Sequence, residues 1–136
     1  MNSFVRLGFV PRGYDLGLLV LRLWTGIGLF LMHGLPKVTG FSGMAAHFPD
    51  PLHIGSRWSL AFAVLSDAIC SLLIVLGLAT RWAALIVAIN TGVAFVMVHK
   101  LHLFGEHNGE LAFLFFGAAL TLFIAGGGRF SVDGKV

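Results

Sequence analysis

Four apolar stretches, roughly residues 16–36, 58–79, 82–98 and 110–126, constrain this chain more than any other feature. Each is close to the ~20 residues that carry a helix across a ~30 Å hydrocarbon core. The third is short and needs tilted ends, or extension to about residue 101, to do so. In hydrocarbon every backbone N–H and C=O must be satisfied within its own segment, so such runs form helices. A soluble bundle would need polar outer faces, and the third and fourth stretches scarcely have any. The charged fraction of 11% is far below the roughly 25% of soluble domains. The expectation is an all-α membrane protein, a four-transmembrane-helix bundle. Residues 1–15 would form an N-terminal cytoplasmic or interfacial segment, 16–126 the membrane domain and 127–136 a C-terminal cytoplasmic tail.

The basic residues read as topology marks rather than as a nucleic-acid footprint, because they are scattered instead of clustered on one face. With four crossings, Arg6, Arg12, Arg81, Arg129 and Lys135 fall on one side, and Lys37, Arg57 and Lys100 on the other. That bias favours a plasma (inner) membrane protein with both termini cytoplasmic. Trp58 and Trp82 fit interface anchors at segment starts, whereas Trp24 is deeper and suits inter-helix packing. The single cysteine, Cys70, lies inside the second stretch and reads as a small apolar filler. All six histidines, His33, His47, His53, His99, His102 and His107, sit at or beyond one edge of the membrane. The connector between the first two stretches is rich in glycine and proline, and suits either a lid or a plain solvated loop.

Arg22 is the costliest residue in the first stretch, since a guanidinium cannot shed its charge in lipid. Asp67 is the acidic residue deep in an apolar run, so an Arg22–Asp67 pair is expected. Arg22, Gly26, His33 and Lys37 recur at four, seven and four residues, which places them along one helical face. The candidate catalytic groups are Arg22, His33, Asp67, His99 and Glu110. The candidate ligand-binding groups are Arg22, His33, Lys37, Asp67 and Asn90. Histidines suit proton exchange and an arginine can stabilise charge on a carbonyl-derived oxygen, chemistry that fits a quinone. Neither a flavin nor a nucleotide fingerprint is present. His99, His102 and Glu106 have the spacing of metal ligands only if a helix carries them; metal or haem coordination is not the expected reading.

The run RLWTGIGLFLMHGLPKVTGF, followed by Asp67 in an apolar helix, resembles the DoxX family of membrane proteins. GLATRWAALIVAINT is similar to that family's third-helix entry, and GGGRFSVD to its closing segment; the likeness covers about residues 16–133. The resemblance implies a four-helix membrane fold. It also implies association with thiosulfate–quinone oxidoreduction, redox stress or membrane oxidoreductase assemblies. Arg22, His33, Gly34 and Lys37 match the family's first-helix pattern, Glu110 and the Arg129–Asp133 ending also fit, and Asp67 stands where a Glu is common.

These readings converge on a membrane subunit of a redox system that engages a quinone at a buried polar site. Membrane lipid and a protein partner carrying the electron-transfer cofactor are its expected associates, with a homo-oligomer possible and no nucleic acid. The alternative is a non-catalytic membrane anchor or assembly subunit of an oxidoreductase complex, which predicts tight glycine-lined packing and no cavity. Whether the chain is itself an enzyme is left open.

Overall fold

The computed structural model describes residues 7–10 and 13–136. The reading of residues 1–15 as an interfacial segment, with Arg6 and Arg12 as topology marks, falls largely on positions outside these. Helix α1 spans Tyr14–Thr39, α3 Ser56–Leu76 and α4 Thr80–Val98; these three are long and apolar enough to cross a membrane. Between the first two lies the single turn α2, Phe41–Met44, and after α4 comes α5, Glu110–Ala125. A 3-10 turn at Asp133–Lys135 follows.

The expected four crossings are thereby corrected to three. Helix α5 has 16 residues, or about 24 Å at 1.5 Å per residue, short of a ~30 Å core. Two glycines bound it: Gly109 is packed so closely that an added Cβ would meet His99 and Phe95 at 2.7 and 2.8 Å. At the other end Gly126, at φ 79°, breaks the helix. Helix α5 still belongs to the bundle, packing along α4 and touching α1.

Interior side chains are mostly small. Ala83, Ala84, Val87 and Ala88 of α4 meet Ala119 and Leu122 of α5, with Leu29, Cys70 and Ile74 completing the core. Lipid tails are as apolar as these residues, so close van der Waals packing holds the bundle rather than escape from water. Gly26 shows the principle: a Cβ there would lie 2.7 Å from the Ser71 carbonyl oxygen, so only glycine lets α1 approach α3. Trp58, Trp82 and Tyr14 are exposed near helix starts, as interface anchors would be. Trp24 is 82% exposed and faces outward, correcting its expected role in inter-helix packing.

Each of the three long helices widens into a π-turn, at Phe30–Gly34, Leu65–Cys70 and Ala94–Val98. In α1 the cause is visible in the sequence. Pro36 has no N–H to donate, and the wider turn ahead of it lets the Leu35 amide reach the Phe30 carbonyl instead. Because α1 and α3 run antiparallel, their π-turns pack against each other.

The opposite end is closed by the C-terminal segment. Asp133 accepts hydrogen bonds from the Ala79 and Thr80 amides, both 2.8 Å, and so caps the start of α4 from a distance. Asp15 accepts one from the Arg129 amide at 2.8 Å, which brings the start of α1 and the last loop to the same end.

Candidate functional site

The polar site is built where the π-turns meet. Asp67 is buried, and Lys37 Nζ donates to its Oδ2 at 2.8 Å. Its Oδ1 accepts from Ser66 Oγ at 3.0 Å and Asn90 Nδ2 at 3.1 Å. Lys37 also donates to the His33 carbonyl at 3.2 Å, four residues back on α1. Three helices thus contribute to one ion pair. A carboxylate so satisfied can remain charged in an apolar bundle, where an unpaired one could not. Gly34 makes the arrangement possible: its missing side chain leaves room for the Asp67 backbone carbonyl, which an added Cβ would strike.

Beside this cluster lies a cavity of about 550 Å³, with His33, Lys37, Asp67, Asn90 and His99 in its walls. The remaining lining is largely apolar, from Leu29, Phe62, Ala63 and Val93 to Phe115 of α5. The connector supplies a roof of Phe48, Pro49, Pro51, Leu52 and Ile54, so this segment covers the cavity rather than forming a free loop. Asp50 holds the roof down, accepting from the Ile54 and Gly55 amides and from Ser59 Oγ at 2.8–3.0 Å. Desolvation pushes the Asp50 carboxyl up, but these hydrogen bonds and nearby His53 outweigh it and hold it below the ordinary carboxylate range. His33 presents its ring edge to Phe115 at 5.8 Å between centroids. Its Nε2 is buried without a hydrogen-bond partner.

A second concavity of about 430 Å³ shares four of these residues, His33, Lys37, Phe48 and Pro49. It extends along Met32, Pro36, Gly43, Met44 and His47.

The expected Arg22–Asp67 pair is not formed. Arg22 is fully buried, as lipid requires, but it donates to the carbonyls of Ile74 at 3.3 Å, Val75 at 3.1 Å and Phe130 at 2.9 Å. The Ile74 and Val75 carbonyls are about eight residues beyond Asp67 on α3, roughly 12 Å along the axis, and that of Phe130 lies in the last loop. The register of α1 on α3 decides this: Gly26 packs on Ser71 and Val75, so Arg22 lies opposite the end of α3. Glu110 is exposed at the start of α5 and outside the cavity wall. His99, His102 and Glu106 share no helix, because α4 ends at Val98 and Lys100 and Leu101 adopt φ 50° and 62°. Among the described residues no group of three or more His, Cys, Asp or Glu could hold a metal. Sequence reasoning missed Ser66, Ser59 and Asn108. Ser66 had a signal, as a hydroxyl beside the buried acid; the other two enter only through tertiary folding.

The DoxX family model matches residues 17–100, which contain His33, Lys37, Asp67, Asn90 and His99 but not α5 or the GGGRFSVD ending. No curated protein and no solved structure matches the chain.

Proposed function

The chain belongs to the DoxX family, and from that premise we propose that it is a membrane redox subunit that binds a quinone in the cavity beside Lys37 and Asp67. Membership supports a general redox-associated role at the membrane, and three apolar helices support an integral, lipid-contacting location. The quinone is the finer reading. One observation carries it: a mostly apolar cavity of about 550 Å³ ends in a cluster of polar groups, the form expected of small-molecule sites of roughly 300–1,000 Å³.

The unused hydrogen-bonding capacity at that end favours a ligand that accepts. Both Asp67 oxygens are engaged, by Lys37, Ser66 and Asn90. Lys37 carries three N–H donors, of which two are used within the protein. His33 Nε2 has no partner. A quinone carbonyl would take a hydrogen bond from Lys37 or His33, with its ring and tail along Phe62, Ala63 and Phe115. Reduction to the quinol takes two electrons and two protons. The electrons would come from a partner protein carrying a redox cofactor, and His33 and His99 of the cavity wall would exchange the protons. The end where the start of α1 meets the last loop, and where Arg81, Arg129 and Lys135 gather, would be cytoplasmic; α5, too short for a full crossing by length, runs back to it along α4.

The anchor-subunit reading expects glycine packing without a cavity. Gly26 and Gly34 do pack tightly, but between α1 and α3, and the cavity stands beside them. Titration of the purified protein in lipid nanodiscs with a short-tail benzoquinone tests the proposal. Lys37→Met and His33→Leu should each weaken binding at least about tenfold per folded molecule, the worth of one charge-assisted hydrogen bond. Unchanged affinity in both variants would reject it.

A further inference from the structure

Lys37 and His33 stand in the walls of both concavities, and only Phe48 and Pro49 accompany them in that role. The two spaces differ in character. The smaller one runs along the exposed residues Pro36, Gly43, Met44 and His47 at the outer end of α1 and the connector. The larger one is apolar, and its rim includes Phe62 and Ile89, 36% and 49% exposed on α3 and α4. Phe48 is half-buried between them.

We infer that the Lys37–His33 corner is a junction served by two separate routes. Water and protons arrive through the vestibule past His47, while an apolar ligand enters the cavity between the outer halves of α3 and α4, with Phe48 and Pro49 as the partition. The inference rests on the proposed-function reading insofar as the larger cavity takes a ligand. Chemistry supplies the motive. Quinone reduction needs protons at the head group, yet water around the ring and tail would cancel the gain from burying them. A side entrance for protons meets both demands. The titratable groups facing the corner are Asp67 of α3, His47 of the connector and His99 at the end of α4. Lys37 keeps 15% of its side chain exposed, enough to meet vestibule water while bonded to Asp67.

Single cysteines introduced into a Cys70→Ala background test the two routes in nanodiscs. Gly43→Cys probes the vestibule, where an added Cβ meets nothing within 4 Å. Lys37→Cys probes the junction, and Ala63→Cys the cavity wall, where Ala63 is 3% exposed. A charged methanethiosulfonate should modify Gly43→Cys and Lys37→Cys at similar rates and Ala63→Cys at least about tenfold more slowly, since thiol reactivity follows access. Lipid-soluble N-ethylmaleimide should modify Ala63→Cys readily. Adding Phe48→Ala should speed the charged reagent at Ala63→Cys at least about tenfold by joining the two spaces. Equal charged-reagent rates at Ala63→Cys and Lys37→Cys with Phe48 in place would overturn the inference. So would a Lys37→Cys that resists the charged reagent while Gly43→Cys reacts. If Lys37→Cys does not fold, the response of Ala63→Cys to Phe48→Ala decides the matter. A saturating short-tail benzoquinone should protect Ala63→Cys and leave Gly43→Cys unaffected. Absence of protection with the labelling contrast intact would sink the quinone reading and leave the two routes standing.

Discussion

Asp67 and Lys37 illustrate how a charge is tolerated in an apolar bundle. Each would be prohibitive alone; together, with Ser66 and Asn90 on the second oxygen, they leave no carboxylate oxygen unpartnered. Removing one partner is therefore worse than removing both. Asp67→Leu should destabilise the purified protein by about 3–5 kcal/mol, and adding Lys37→Met should recover most of that loss. Thermal unfolding of the single and double variants measures the difference, and equal losses in both would refute the pairing. Gly34→Ala should cost about 1–3 kcal/mol, because the new methyl displaces the Asp67 carbonyl and the helix carrying it. The candidate residues were legible as types and, within α1, as a face: His33 and Lys37 do converge. Their partners were harder. Spacing along one helix says nothing about the register of its neighbour, so the sequence pairs Asp67 with Arg22 whereas the fold pairs it with Lys37. Arg22 is satisfied by backbone carbonyls, which no side-chain pattern announces.

Helix ends repeat that lesson. Helix α3 stops at Gly77, whose φ of 72° is left-handed, and its amide closes on the Leu73 carbonyl at 2.8 Å. The sequence marks that stop plainly. The cap on α4 is remote, since Asp133 lies more than fifty residues beyond the Ala79 and Thr80 amides it accepts. Asp133→Ala should therefore loosen the start of α4 by about 0.5–2 kcal/mol, visible as faster amide exchange at Thr80 and Arg81. Desolvation pushes the Asp133 carboxyl up, but bonds from Thr80 and Ala79 and the proximity of Arg22 outweigh it and hold it below its ordinary value. A lowered folded value means that the contribution is complete above about pH 5, where the unfolded carboxyl is almost fully ionised. It fades as pH falls through the lowered folded value. The wild type should thus lose stability on acidification over that window more steeply than Asp133→Ala does; parallel acid titrations would disprove the cap's role.

Across the whole molecule, the cavity and the C-terminal ties occupy opposite ends. The cavity, the vestibule and the six histidines lie at one end; Arg22, Asp15, Asp133 and the last loop tie the other. Arg22→Met would leave the carbonyls of Ile74, Val75 and Phe130 without their donor. It should lower thermal stability and free residues 127–136 to limited proteolysis, while quinone affinity per folded molecule stays within about twofold, as expected of distant, independent sites. A large loss of affinity at full stability would contradict this separation. The all-α architecture was readable because apolar length alone demands helices in lipid. The count of crossings was not, because 110–126 is continuous as composition but is trimmed at Gly109 and Gly126 by conformation.

The hydrogen bond between Asp15 and Arg129 also carries a practical corollary for protein engineering. It sets the entry to the first crossing beside the exit from the last turn, so two copies joined head to tail by a short hydrophilic tether could fold side by side. In such a tandem, one copy could be disabled at Asp67 and the other kept intact, and each ligand chamber could then be counted within a single polypeptide.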